Sequence, residues 1–183
     1  GLPYHVGGVI AQRSNLILQN PTKFKNSYNI DVRIEHEVMA VHPEGQTVTV
    51  KNLATNEEFT DHYDDLIIAT GSSPVRPPIP GINSAKVMSL WTIPDADQIK
   101  AQIAASKLKK VVVAGGGFIG LELAENLLHL GFEVHLVEMM DQVLAPLDPE
   151  MARLVEAAMT AEGIKLHQKT GVSAFTENAS TLL

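Results

Sequence analysis

The run Val111-Val112-Val113-Ala114 passes straight into Gly115-Gly116-Gly117-Phe118-Ile119-Gly120, and no other stretch limits the fold of this chain as strictly. Continuous apolar residues suit a strand buried on both faces. Glycines at the junction let the backbone turn sharply. Phe118 to Leu130 then reads as an amphipathic helix stopped by Gly131. Glu133 to Glu138 is the next expected strand, Asp148 to Glu162 a second helix stopped by Gly163, and Ile164 to His167 a third strand. Strand, helix, strand, helix, strand in this order predicts an α/β unit with a parallel sheet wound in one direction.

Gly115, Gly117 and Gly120 fit the spacing G-x-G-x-x-G, with Gly116, Phe118 and Ile119 between them. Gly115 permits the tight turn out of the strand. Gly117 lets backbone approach a pyrophosphate, and Gly120 lets the helix pack closely on the sheet. A helix opening at this point offers unpaired N–H groups and its positive dipole end to phosphate oxygens. Glu138 stands at the end of the next strand, eighteen positions after Gly120, where an acid accepts hydrogen bonds from an adenosine ribose. Its charge would repel a 2′-phosphate, and Met139-Met140-Asp141 brings no Arg or Lys to receive one. These residues predict a Rossmann-like dinucleotide site that prefers NAD(H) to NADP(H). A glycine-rich turn of another parallel α/β domain, with Glu138 a solvated strand end, is the competing reading.

Upstream the pattern changes. Val9, Ile10, Leu16 and Ile17 suggest a helix after the Gly7-Gly8 pair. Asp31 to Ile34, Glu37 to His42, Thr47 to Lys51 and Glu58 to His62 suggest short strands. Turn residues separate them, and Thr47 to Val50 alternates as a half-buried strand does, so an antiparallel meander is expected. Asp65 to Gly71 reads as a further strand buried on both faces. Ser72 to Gly81 holds four prolines, which exclude helix interior and central strand and mark a stiff linker. A helix is expected from Pro94, with Asp95 and Asp97 near its positive end.

Composition narrows the function classes. A net charge of −7 over 183 residues offers neither nucleic acid nor an anionic membrane a basic face. No apolar run approaches bilayer-spanning length, and Gly1 to Ile10 lacks the regions of a signal peptide, so a cytoplasmic location is the default expectation. With no cysteine, disulfides and thiolate metal sites are excluded within the chain. His5, His36, His62, His129 and His135 show no metal-ligand spacing with a carboxylate, so no metal is expected.

Three motifs, Gly1-Leu2-Pro3-Tyr4, Ala69-Thr70-Gly71-Ser72 and Gly115 to Glu122, resemble in this order those of FAD-dependent pyridine nucleotide–disulfide oxidoreductases. The chain looks most like the single-cysteine branch: coenzyme A disulfide reductases, NADH-dependent persulfide reductases, and NADH oxidases or peroxidases. The resemblance runs over nearly the whole chain. The glycine fingerprint alone is shared with many dehydrogenases, whereas the three motifs together are specific. The resemblance implies that residues 1–81 are part of an FAD-binding domain with its meander and the Pro-rich linker. Residues 82–183 would be an NAD-binding domain cut short on its C-terminal side, with Val172 to Thr176 and Thr181 to Leu183 as its first meander strands.

Site residues follow from the same resemblance. Leu2-Pro3-Tyr4 matches the tripeptide that follows the redox-active Cys in the disulfide and persulfide reductases. That Cys would immediately precede Gly1. Phe118 matches an aromatic that lids the flavin until nicotinamide displaces it, and Glu122 an acid close to nicotinamide and flavin. A packed first-turn aromatic and a dipole-favoured glutamate are the alternatives. Ala69, Thr70 and Gly71 match the place where backbone approaches FAD. Arg13, Lys23 and Lys25 could neutralise coenzyme A phosphates or be solvated surface charges. The implied parent is a homodimer that passes hydride from NADH to FAD and on to coenzyme A disulfide or a persulfide. Oxygen or peroxide as acceptor is the second reading, and a non-catalytic NAD-binding module the third. The isolated chain would be inactive.

Overall fold

The computed structural model describes residues 1–177. The helices are α1 (Leu2–Val6), α2 (Pro21–Tyr28), α3 (Ile93–Ala105), α4 (Phe118–His129) and α5 (Pro149–Glu162). The strands are β1 (His36–His42), β2 (Thr47–Asn52), β3 (Glu58–His62), β4 (Lys110–Ala114), β5 (Glu133–Val137) and β6 (Lys165–His167). They divide into two compact units, Ile17–Ser72 and Gly1–Leu16 with the residues from Ser73 onward.

In the unit Ile17–Ser72, the Asn20 side chain accepts the Lys23 N–H and opens α2, and Asn29 closes it in the left-handed region. The expected meander is present: β1, β2 and β3 form an antiparallel sheet in that order. Val48 and Val50 of the central strand are buried while their neighbours Thr47 and Thr49 are half-exposed, the alternation of a sheet with one covered face. Two expectations fail. Asp31 to Ile34 forms no strand, and Asp65 to Gly71 is irregular and exposed, Ile67 at 88%. A strand buried on both faces needs paired edges and a layer over each face, and no described strand pairs with this segment.

The other unit begins with α1, which stops at Gly7-Gly8, where Gly8 turns to φ +84°. Glycine costs a helix about 1 kcal/mol per residue. The helix expected through Val9 to Ile17 therefore gives way to a 3₁₀ turn over Arg13–Leu16. Val6 packs on Ala96 and Ile99 of α3. A Cβ at Gly7 would stand 1.9 Å from Oδ1 of the buried Asn126, so this glycine sets how closely α1 approaches α4. These contacts explain why the first sixteen residues fold with the later part of the chain.

The start of α3 is a reciprocal cap. The Thr92 hydroxyl accepts the Asp95 N–H, and the Asp95 carboxylate accepts the Thr92 N–H at 2.6 Å. The Thr92 N–H and hydroxyl hold the Asp95 carboxyl below the usual aspartate range. Thr92→Ala should cost about 1 kcal/mol, read as a lower urea midpoint with an unchanged slope.

β4, β5 and β6 form the expected parallel sheet, in register at Val111–Val134, Val113–Leu136 and Leu136–Leu166. Val113, Val134 and Leu136 point into one core with Leu127 of α4 and Met159 of α5. Gly163, at φ +104°, ends α5 where the sequence placed a stop. Glu133 and His135 alternate onto the opposite face of β5. Lys165, Lys110 and His135 surround Glu133. Its carboxyl is lowered to about 2, first by the Lys165 hydrogen bond and then by that of His135. A depressed carboxyl stabilises the fold fully above the ordinary glutamate value and loses that contribution as pH falls through about 2. Glu133→Gln should accordingly flatten the dependence of the urea midpoint on pH over this acid window; an unchanged slope would count against the assignment.

Val172 to Thr176 is irregular rather than a strand, although Phe175 N–H reaches the Pro80 carbonyl at 2.8 Å. The expected strand Thr181 to Leu183 lies outside the described residues. Among the described residues no helix is long and apolar enough to cross a membrane.

Candidate functional site

β4 delivers the chain to Gly115, whose φ of +112° only glycine adopts without strain. Gly115 N–H bonds the Val137 carbonyl at 2.9 Å, keeping the turn attached to β5. A Cβ at Gly120 would stand 2.0 Å from the Gly115 carbonyl oxygen, so α4 crosses the end of β4 as closely as backbone allows. Gly117 caps α4 without a side-chain bond, and a Cβ there would find nothing within 4 Å. Gly115 thus makes the turn, Gly117 leaves space open at the start of α4, and Gly120 lets helix and strand meet closely.

Gly116 has a different task. It is buried, its N–H donates to Glu138 Oε2 at 2.7 Å, and its carbonyl accepts the Leu144 N–H at 2.8 Å. Glu138 Oε1 accepts the Met140 N–H at 2.7 Å. Two charge-assisted bonds therefore fix the carboxylate beside the glycine turn. Each oxygen keeps a further lone pair for a ribose hydroxyl. The Glu138 N–H itself bonds the His167 carbonyl at 2.8 Å. From α5, Glu156 Oε1 accepts the Val143 N–H at 3.1 Å and the Gln168 side-chain amide at 2.6 Å, anchoring the loop after β5. Sequence reasoning missed Val143, Leu144 and Glu156. The apolar pair Val143-Leu144 between Asp141 and Pro146 was the available signal, since an apolar pair in a loop is covered where the fold allows it.

A cleft of about 200 Å³ is lined by Gly1, Leu2, Pro3, Leu90, Trp91, Ile119 and Glu122. It brings the opening motif together with the fingerprint helix inside one unit. Phe118 stands beside it in sequence, 61% exposed in the first turn of α4. Ala69, Thr70 and Gly71 belong to the other unit, exposed, with Gly71 at φ +74°. Arg13 bonds Asp97 at 2.8 Å, and this bond is the main reason the Asp97 carboxyl lies below its ordinary range. Lys25 pairs with Asp31 at 2.9 Å, and Lys23 reaches the Leu18 carbonyl. Among the described residues no three His, Cys, Asp or Glu side chains could hold a metal ion.

The glycine cradle, uncapped helix start and clamped carboxylate are the parts a dinucleotide requires: an open approach for pyrophosphate and an acceptor for ribose. Fold and turn together define a Rossmann-like nucleotide-binding architecture. Residues 4–183 match the pyridine nucleotide-disulphide oxidoreductases, and the chain belongs to that family. The coenzyme A disulfide reductase of Staphylococcus haemolyticus is 35% identical over 155 residues, 85% of this chain and 34% of that protein. Reduced CoADR-RHD from Bacillus anthracis superposes with a TM-score of 0.88 at 41% identity, over 100% of this chain and 34% of that one. The water-forming NADH oxidase from Lactobacillus brevis, bound to NADH, gives 0.85 at 30% identity over 100% of this chain and 40% of that one. An NADPH-bound engineered mutant of that oxidase also gives 0.85, at 29% identity, with 100% of this chain and 40% of that one covered. This chain spans between 34% and 40% of the length of these relatives.

Proposed function

We propose that this chain is part of a longer flavoprotein that carries hydride from NADH to FAD and on to a disulfide or persulfide such as coenzyme A disulfide. The observation that carries this reading is the cleft in which Gly1, Leu2 and Pro3 meet Ile119 and Glu122. A redox-active Cys immediately before Gly1 would sit at the edge of that cleft, beside the helix that receives the dinucleotide. Relatives named coenzyme A disulfide reductase and NADH oxidase support the class of reaction.

The cofactors, when bound, supply the redox chemistry. The residues of this chain bind and orient. Gly115, Gly116, Gly117 and Gly120 shape the pyrophosphate turn, Phe118 and Ile119 open the helix over it, and Glu138 holds the ribose. Glu122, which lines the cleft, would serve nicotinamide and flavin, and Ala69-Thr70-Gly71 would give backbone to FAD. In this reading residues 1–81 serve FAD and 82–183 serve NAD(H), within a cytoplasmic homodimer. Oxygen or peroxide as the acceptor is the second reading, supported by the fit to the Lactobacillus brevis oxidase.

The test uses the full-length protein. Its flavin absorbance should bleach with NADH and return on adding coenzyme A disulfide without oxygen. Return with oxygen alone would move the protein to the oxidases. A codon other than Cys before Gly1 would sink the reductase reading, and a protein that NADH does not bleach would be a binding module.

A further inference from the structure

Titratable side chains form a row across the face of the parallel sheet opposite α4 and α5. Glu133 and His135 stand on β5, His167 ends β6, and Lys110 of β4 and Lys165 of β6 pair with Glu133. His135 Nε2 lies 3.1 Å from Glu133 Oε1, and His135 Nδ1 lies 2.9 Å from His167 Nε2. The two rings are within 3° of parallel, with centroids 5.1 Å apart. That separation is close to the nitrogen–nitrogen distance plus both ring radii. The rings therefore meet edge to edge in one plane, with the facing nitrogens aimed at each other.

Proton placement follows from this geometry. An ionised carboxylate only accepts, so His135 Nε2 carries a proton, and Nδ1 of the neutral ring is bare. His167 Nε2–H then donates to His135 Nδ1. One further proton can enter at His167 Nδ1, which leaves the inner bond in place and makes it charge-assisted. A second has to enter between the rings. Two N–H groups would then face each other across 2.9 Å. Only this second proton breaks the bond.

The break reaches the nucleotide site through backbone. The His167 carbonyl accepts the Glu138 N–H at 2.8 Å, and Thr170 N–H bonds the Glu138 carbonyl at 3.0 Å. We infer that Glu133, His135 and His167 are positioning residues for the Glu138 carboxylate, a shared-proton latch that holds the end of β6 against β5 and releases it when both imidazoles are charged. The consequence for NADH binding rests on the NAD(H) reading above; the latch itself does not.

Three measurements on the full chain, between about pH 8 and 5 where imidazoles change charge, test this. Nitrogen-15 NMR of the two rings should show two coupled steps. Hydrogen-exchange protection of the Glu138 amide, corrected for intrinsic pH dependence, should hold through the first step and fall about tenfold in the second. NADH affinity, followed by fluorescence, should fall with it. In His167→Phe, which shares no proton, protection and affinity should be flat with pH. His135→Gln bridges Glu133 and His167 without titrating, and should keep the neutral-pH protection into acid. Rings that titrate independently would overturn the latch, as would the same pH dependence of Glu138 protection in all three proteins. A chain with the expected protection profile that binds no NADH at any pH would keep the latch and lose the NAD(H) reading.

Discussion

Glu138→Ala combined with Met139→Arg, Met140→Ser and Ala145→Arg should turn a preference for NADH into one for NADPH. The carboxylate at 138 is fixed by the Gly116 and Met140 N–H groups, so it cannot swing away from an incoming 2′-phosphate. Removing that repulsion and adding two guanidinium groups is worth about 1–3 kcal/mol at a partly solvated site, a tenfold to hundredfold change in the affinity ratio. These substitutions follow the pattern of the NADPH-bound mutant of the Lactobacillus brevis oxidase. Its Gly→Ala and Asp→Ala changes are eighteen positions apart, the separation of Gly120 and Glu138, and its remaining changes fall at the spacings of Met139, Met140 and Ala145. Glu138→Gln separates charge from shape: it retains an acceptor for one N–H and removes the repulsion. Fluorescence titration with both cofactors reads the outcome. An NADH-to-NADPH affinity ratio unchanged in both variants would remove Glu138 from the site.

Gly120→Val should destabilise the fold by about 1–3 kcal/mol and weaken NADH binding. The new Cβ would overlap the Gly115 carbonyl oxygen at 2.0 Å, a backbone atom with no rotamer to change. Relief requires α4 to lift from β4, which opens the turn. Gly117→Ala is the informative contrast, since its Cβ meets nothing within 4 Å and its backbone is extended, at φ −80° and ψ −179°. That variant should fold with near-normal stability and bind NADH more weakly, because the methyl occupies the pyrophosphate approach. Urea denaturation separates the two. Equal stability of the variants would overturn the packing role of Gly120, and normal NADH binding by Gly117→Ala would overturn the open approach.

The parts of the fold legible in the sequence are those set by local pattern. Val111 to Ala114, the stops at Gly131 and Gly163, and the alternation of Thr47 to Val50 each express a period or a backbone conformation that neighbouring residues specify. The G-x-G-x-x-G turn is of this kind, because each glycine answers a demand within six residues of chain. Val9 to Ile17 misled for a related reason. Its apolar spacing suggested a helix, whereas Gly7-Gly8 and the docking of Val6 on α3 decided where α1 ends. Asp65 to Gly71 misled because burial on both faces is supplied by neighbouring strands, and its composition could state the demand but not provide them.

By itself, then, the sequence determined the order of strands and helices from β4 to β6, the glycine turn, and an acid at the end of β5. Tertiary structure alone decided that Gly116 binds that acid while Gly117 stays open, and that Gly1 to Pro3 meets Glu122. It also aligned His135 with His167 across two strands. The physical reason is distance along the chain. Periodicity and turn chemistry act over a few residues, whereas each of these contacts joins positions far apart in sequence whose approach is set by the packing of a common core.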